Sequence, residues 1–136
     1  MSDPSQTAVA GQPGVRATGP VLVIDDDELV GIVLSRALGR LGYAADSAPD
    51  GRRGVALFEA DPRRYGLVFL DYKLPGMDSA EVCARLRAAR PDIPVVLMSG
   101  YSREDAMGAA SCEFSGFLKK PFTVDSVKEA LTLPQA

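Results

Sequence analysis

Histidine is absent from the 136 residues of the sequence. Without an imidazole ring, general acid–base catalysis by histidine, metal ligation by histidine and phosphorylation on histidine are all excluded. Basic charge is also limited, because 15 Lys and Arg stand against 18 Asp and Glu and give a net charge of −3. A nucleic-acid-binding protein would favour a basic patch, which this composition does not support. Any chemistry must therefore come from the remaining side chains, above all the carboxylates, amines and hydroxyls.

Long hydrophobic runs are missing as well. Runs such as Leu67–Leu70 and Val95–Met98 are far shorter than the ~20 apolar residues that a membrane span needs. The N-terminus has neither a basic start nor a long apolar core, so no secretory signal is indicated. We therefore expect a cytoplasmic protein without a membrane partner.

The first 20 residues contain three Pro and three Gly but few large apolar side chains. Such a segment cannot bury enough surface to offset the entropy lost on ordering. The sequence therefore predicts a flexible N-terminal leader over residues 1–20, one ordered domain over 21–132 and a short tail over 133–136.

Within the predicted domain, apolar runs alternate with helical patterns five times. The predicted strands are VLVI, residues 43–47, LVFL, VVLM and residues 117–119, and the predicted helices cover residues 27–41, 50–60, 78–90, 102–112 and 124–131. The strands are rich in Val, Leu and Ile without clean alternation, which is typical of a parallel sheet covered by helices on both faces. Ligands of such open sheets bind beyond the carboxyl ends of the strands.

Chemically active side chains directly follow the predicted strands. They are Asp25, Asp26 and Asp27 after the first strand, Asp71 after the third, Ser99 and Gly100 after the fourth, and Lys120 after the fifth. Taken singly, each is explained by a helix cap, a turn or a solvated amine. Together they bring carboxylates to one edge, where each pair ~4 Å apart repels by about 4 kcal/mol at an effective dielectric near 20. Mg²⁺ would offset this repulsion, and a metal beside an ammonium suits phosphoryl transfer to an Asp oxygen.

Four segments in this order, VLVIDDDE, LVFLDYKLPGMD, PVVLMSGY and FLKKPF, resemble the CheY-like receiver domains of two-component response regulators. The resemblance covers all but the leader and the last residues. It implies an α/β flavodoxin-like (βα)5 fold, a doubly wound parallel sheet with strand order 2-1-3-4-5.

The resemblance also implies a metal and phosphorylation site. Asp71 matches the phosphoacceptor, Asp26 the direct Mg²⁺ ligand, and Asp25 an acid that acts through water. Lys73 matches the position whose backbone carbonyl binds the metal. The side chains of Lys73 and Tyr101 occupy variable positions beside the phosphate, where we expect them to shield the acyl phosphate from water.

The other matched positions bind the phosphoryl group or respond to it. Ser99 matches the switch hydroxyl, Gly100 the small residue that leaves room for the phosphoryl group, and Lys120 the lysine that contacts the phosphate. Phe117 matches the aromatic switch residue, and because it has no hydroxyl, its switching must work by packing.

The function implied is a phosphoacceptor switch rather than an enzyme, one that assists its own phosphorylation and slow dephosphorylation. A histidine kinase or a histidine phosphotransfer protein would supply the phosphoryl group. A downstream protein would read the face formed by the fourth helix, fifth strand and fifth helix. We expect no direct DNA binding, because no output domain is indicated within the sequence.

Three alternatives stay open at this point. The domain could be a stand-alone regulator or the receiver of a hybrid sensor kinase. It could be a phosphatase of the haloacid dehalogenase type, with Asp25 and Asp27 as a DxD motif, although Asp71 would then have no role. It could also be a pseudo-receiver that binds partners without taking phosphate, although the intact set of site residues argues against this.

Overall fold

A five-stranded parallel sheet forms the centre of the computed structural model, which describes residues 14–109 and 113–134. The strands in chain order are β1 (Gly14–Arg16), β2 (Val21–Ile24), β3 (Ala45–Ala48), β4 (Leu67–Asp71), β5 (Val95–Ser99), β6 (Gly116–Lys119) and β7 (Thr132–Pro134). The central sheet has the order β3-β2-β4-β5-β6 and all of its pairs are parallel. Counted within this sheet, the order is 2-1-3-4-5, so the predicted flavodoxin-like fold is confirmed.

Five helices cover the two faces of the sheet. They are α1 (Glu28–Arg40), α2 (Gly51–Ala60), α3 (Ser79–Ala89), α4 (Arg103–Ala109) and α5 (Val124–Ala130). The side chains that cap α1, α2, α3 and α5 are Asp27, Asp50, Asp78 and Thr123, each accepting a backbone N–H of the first turn. The predicted end of the fourth helix, at residues 110–112, lies outside the described residues. No helix in the described ranges is long and apolar enough to cross a membrane.

The two faces of the sheet bury separate hydrophobic clusters. In β2, Val21 and Val23 pack with α1 and α5, whereas Leu22 and Ile24 pack with α2 and α3. Successive side chains of a strand point to opposite faces, so a strand buried on both sides must be apolar throughout. This explains why the predicted strands show no alternation between apolar and polar residues.

The edge strand β3 begins two residues later than predicted. Gly42 has a positive φ of 93°, and the backbone N–H of Tyr43 donates to the carbonyl of Leu38 at 2.9 Å. Tyr43 therefore lies in the turn that ends α1, and its hydroxyl donates to the carbonyl of Ala17 at 2.6 Å. The strand forms only at Ala45–Ala48, where the chain reaches β2.

The expected boundaries of the ordered domain need a correction at both ends. Strand β1 pairs antiparallel with β7, and the N–H of Ala17 donates to the carbonyl of Leu131 at 2.8 Å. Ala17 is also buried in the cluster beneath α1 and α5. Residues 14–20 and 133–134 thus join the packed unit through backbone hydrogen bonds between β1 and β7 and between Ala17 and Leu131.

A matched pair of glycines tests the packing of the sheet. A Cβ on Gly54 in α2 would lie 2.6 Å from Cγ1 of the buried Ile24, whereas a Cβ on Gly39 in α1 would meet no atom within 4 Å. We expect Gly54→Ala to lower the free energy of unfolding by about 1–3 kcal/mol through overpacking. Gly39→Ala should raise it by about 0.5–1 kcal/mol through helix propensity. Urea denaturation measures both, and equal effects would contradict the packing.

Candidate functional site

The register of the sheet brings four strand ends to one edge. Ile24 lies opposite Leu70, Asp71 opposite Met98, and Ser99 opposite Lys119. The residues that follow these strands must therefore meet at the carboxyl edge. They line a cavity of about 380 Å³ formed by Asp25, Asp26, Asp27, Asp71, Tyr72, Lys73, Ser99, Gly100, Tyr101 and Lys120.

Three aspartates converge in this cavity. One oxygen each from Asp25, Asp26 and Asp71 lies within 4.8 Å of the others. Asp25 and Asp71 are only 4% and 6% exposed, whereas Asp26 is exposed. The backbone N–H of Asp27 donates to Oδ1 of Asp25 at 2.9 Å, which fixes the orientation of that carboxylate. The fourth acid of the run, Glu28, begins α1 instead, where the helix dipole favours negative charge.

Lys120 supplies the positive charge between the buried acids. Its Nζ lies 2.8 Å from Oδ2 of Asp25 and donates to Oδ1 of Asp71 at 3.1 Å. Its backbone N–H donates to the carbonyl of Ser99 at 2.8 Å, which ties the lysine to β5. The neighbouring Lys119 turns away, and its ammonium donates to the carbonyl of Gly100 at 3.1 Å. Lys120 rather than Lys119 therefore meets the carboxylates.

The electrostatics of the cavity favour a further cation. Burial, together with the negative charge of Asp25, raises the pKa of Asp71 from 3.8 to about 6, although Lys120 acts in the opposite direction. Burial alone would lower the pKa of Lys120, but its contacts with Asp25 and Asp71 outweigh this and the net pKa is raised. One ammonium therefore does not fully compensate the carboxylates around it.

The donor set fits a small divalent cation. All three converging groups are carboxylates, the oxygen ligands that hard cations such as Mg²⁺ prefer. Within the described part of the chain, the buried Oδ2 of Asp25 has no polar partner besides the ammonium of Lys120, 2.8 Å away. Lys73 lines the same cavity. The arrangement is consistent with a divalent metal at Asp25, Asp26 and Asp71.

The opposite wall of the cavity is formed by Ser99 and Gly100. Oγ of the buried Ser99 accepts the backbone N–H of Tyr101 at 2.9 Å. A Cβ on Gly100 would meet no atom within 4 Å. The missing side chain therefore leaves open space beside the carboxylates, rather than relieving a clash with the backbone.

An aromatic cluster borders the mouth of the cavity. Nζ of Lys73 lies 5.0 Å from the ring centroid of Tyr101, a cation–π contact. Tyr72 meets the same ring edge to face, with centroids 5.9 Å apart. Phe117 is half-buried and, like Tyr72, packs against the hydrophobic core on the α2–α3 side of the sheet. The structure thus brings the two expected shielding residues, Lys73 and Tyr101, into direct contact.

Three contacts of the site escape prediction from the sequence. They are the N–H of Asp27 on Asp25, the Tyr72 ring against Tyr101, and the Lys119 ammonium on the Gly100 carbonyl. All of these residues adjoin predicted site positions, which is the only signal that could have found them. Their directions depend on backbone turns and rotamers that a pattern of residue types does not encode.

A family model described as the response regulator receiver domain matches residues 21–132. The chain belongs to the response regulator receiver domain family. The match agrees with the four motifs, the sheet order and the acidic site at the carboxyl edge. It gives no support to the phosphatase alternative.

Known relatives agree with this assignment. The chain is 36% identical to the transcriptional regulatory protein TcrA of Mycobacterium tuberculosis, over 93% of this chain and 51% of TcrA. It is 30% identical to sporulation initiation phosphotransferase F of Bacillus subtilis, over 82% of this chain and 89% of that protein. A response regulator from Burkholderia pseudomallei, solved with a phosphorylated aspartic acid, calcium ion and citrate, shares 27% identity and a TM-score of 0.69 over 84% of this chain and 66% of that one. The chain spans about half the length of TcrA.

The raised pKa of Asp71 predicts a pH-dependent penalty on the metal-free fold. The folded chain holds this proton more tightly than the unfolded chain, so stability falls as pH rises from about 3.8 through about 6. Asp71→Asn removes the penalty. Above pH 6 the free energy of unfolding of this variant should exceed that of wild type by about 1–2 kcal/mol, a figure reduced to allow for screening by solvent. Urea denaturation with chelator across this range measures the difference.

Asp125→Asn, which changes an exposed aspartate on α5, is the charge-matched control. Its stability should run parallel to that of wild type over the same pH range. Parallel curves for Asp71→Asn and wild type would contradict the electrostatic strain at the site.

Proposed function

We propose that the chain is a phosphoacceptor switch that takes a phosphoryl group from a phosphohistidine onto Asp71. The observation that carries this proposal is the Asp71 carboxylate at the floor of an open cavity, with Lys120 on one side and two further carboxylates on the other. The Burkholderia pseudomallei relative, solved with a phosphorylated aspartic acid and a calcium ion, supports it.

The transfer step balances without a catalytic base from this chain. An oxygen of ionised Asp71 forms the new P–O bond while the P–N bond of the donor breaks, and the donor imidazole leaves with the bonding electron pair. Lys120 stays within reach of the phosphoryl oxygens because it already contacts Asp71. Mg²⁺ bound by Asp26, Asp71 and the Lys73 carbonyl, and by Asp25 through water, would neutralise charge on the transferring group.

The response to the phosphoryl group begins at Ser99. Its hydroxyl turns from the N–H of Tyr101 to donate to a phosphoryl oxygen, which frees that N–H at the loop leading into α4. Phe117, half-buried on β6, then moves into the space behind Ser99. The surface of α4, β6 and α5 changes as the population shifts between two packings. A downstream target protein reads this surface.

An apolar surface on α1, beside the site, offers a docking surface for the phosphohistidine donor. Leu29 and Val33 lie one turn apart on α1, 66% and 47% exposed, and Asp27 at the start of the same helix lines the cavity. Large exposed side chains in such a patch indicate a protein contact. A histidine kinase or histidine phosphotransfer protein therefore approaches over the first turns of α1.

The remaining parts of the proposal concern the receiver domain itself. It acts as a switch rather than an enzyme, assisting its own phosphorylation and slow dephosphorylation, and its net charge of −3 disfavours direct DNA binding by these residues. The cytoplasmic location stays a prediction.

Incubation with acetyl phosphate and Mg²⁺ tests the proposed chemistry. Intact-mass spectrometry should show one added phosphoryl group on wild type and none on Asp71→Asn. An unmodified wild type would instead identify a pseudo-receiver. Turnover of a general phosphatase substrate that Asp25→Asn abolishes and Asp71→Asn does not would favour a phosphatase.

Adjacent aspartates provide a matched control for the metal. Asp26→Ala removes a converging carboxylate, whereas Asp27→Ala removes the N-cap of α1. A Mg²⁺ titration should show a far larger loss of affinity for Asp26→Ala. Equal losses would place the ligand pair one residue away.

The contact between Lys73 and Tyr101 predicts a slow loss of phosphate. Together these side chains partly cover the mouth of the cavity and restrict the approach of water to the acyl phosphate. We expect Lys73→Asn and Tyr101→Glu each to speed self-dephosphorylation several-fold, as measured by a phosphate-release time course. Unchanged rates in both variants would remove this role.

A further inference from the structure

The side chain of Lys119 is exposed, yet its ammonium donates to the backbone carbonyl of Gly100 at 3.1 Å. Ser99 lies opposite Lys119 in the pairing of β5 with β6, so this bond crosses from β6 to the first residue beyond β5. Among the described residues, the ammonium has no other polar partner. An exposed lysine therefore holds a neutral carbonyl at the rim of the site, rather than one of its carboxylates.

The carbonyl of Gly100 and the N–H of Tyr101 belong to one peptide group. This group is held at both ends, because its N–H donates to Oγ of Ser99 at 2.9 Å while its C=O accepts the ammonium of Lys119 at 3.1 Å. A peptide group is planar and turns as a unit. The two hydrogen bonds therefore restrain the same rotation.

The backbone around this peptide has room to turn. A Cβ on Gly100 would meet no atom within 4 Å, so there is open space beside the chain. Glycine also adopts a wider range of backbone angles than other residues, because it has no side chain. The orientation of the peptide therefore depends largely on its hydrogen bonds to Ser99 and Lys119.

Lys119 also belongs to the surface of α4, β6 and α5, which the proposed switch changes. Successive side chains of a strand alternate between the two faces, so Lys119 projects from the same face of β6 as Phe117. Phe117 packs against the buried cluster that contains Ala106 of α4. The ammonium of Lys119 thus joins this surface to the peptide beside Ser99.

We propose that Lys119 is a positioning residue that holds the Gly100–Tyr101 peptide in the orientation of the unphosphorylated state and thereby opposes the switch. This inference rests on the proposed phosphoacceptor function. When Ser99 turns to a phosphoryl oxygen, the peptide loses the acceptor of its N–H, and the bond to Lys119 still resists its rotation. Removing that bond destabilises the unphosphorylated packing and raises the population of the switched one. A ligand that prefers the switched packing then binds more tightly.

Hydrogen exchange on the unphosphorylated, metal-free chain tests the restraint itself. Lys119→Met removes the ammonium but keeps the apolar stem, and it should speed exchange of the Tyr101 amide about two- to tenfold, the range expected for the loss of one hydrogen bond. Lys119→Arg retains a cationic donor and should stay close to wild type. Lys128→Met, at an exposed lysine of α5, is the charge-matched control and should leave the exchange unchanged. Equal exchange in Lys119→Met and wild type would overturn the proposal, whatever the function of the chain.

Titration with beryllofluoride and Mg²⁺ tests the role in the switch, because this anion imitates a phosphoryl group on an aspartate. Lys119→Met should bind it about two- to tenfold more tightly than wild type. Loss of a nearby positive charge would by itself act in the opposite direction and weaken anion binding. The titration is therefore made in about 1 M salt, where the Debye length is about 3 Å.

The two measurements separate this inference from the function on which it rests. Faster exchange of the Tyr101 amide in Lys119→Met without tighter binding of beryllofluoride would overturn the role of Lys119 in the switch and leave the phosphoacceptor function intact. A wild type that binds no beryllofluoride would overturn the proposed function, and the role of Lys119 in the switch with it.

Discussion

The ammonium of Lys120 between Asp25 and Asp71 is the interaction on which the site depends. The parallel register brings two nearly buried carboxylates to neighbouring strand ends, where their repulsion would oppose closing the sheet. Lys120 reaches both from the end of β6, which lies two strands from β4 and three from β2 in the sheet order β2-β4-β5-β6. Since it directly follows the last strand of the central sheet, Lys120 reaches both carboxylates only when the whole sheet has formed.

The charges at the carboxyl edge are not fully balanced. Lys120 offsets part of the negative charge, and the raised pKa of Asp71 reports the remainder. The exposed Asp26 adds a third carboxylate at the entrance. A site with surplus negative charge attracts a divalent cation, which in turn admits an anionic phosphoryl group. The same arrangement that destabilises the metal-free fold therefore favours its proposed ligands.

The sequence predicts those parts of the fold whose causes are local. Buried runs such as VLVI and caps such as Asp27 and Asp50 lie in the sequence next to the elements they specify. The pairing of β1 with β7 joins residues more than a hundred positions apart that have little hydrophobic signal, so composition alone assigned them to a leader and a tail. At the site, strand ends identified the candidate residues, but the family resemblance was needed to choose which acids turn inward. The contact of Tyr72 with Tyr101 depends on rotamers and was not predictable.

The ribbon of β1 and β7 has an architectural consequence. Gly14 lies opposite Pro134, so the chain enters and leaves the domain side by side. The ribbon lies near Ala17 and Leu131, at the amino edge of the sheet, while the acids occupy the carboxyl edge. Polypeptide that precedes Gly14 or follows Pro134 would leave from the amino edge of the sheet. The carboxyl edge, with the acidic site, would stay accessible to a partner. A domain whose two chain ends lie side by side can be inserted into a loop of a larger protein with little strain on the neighbouring segments.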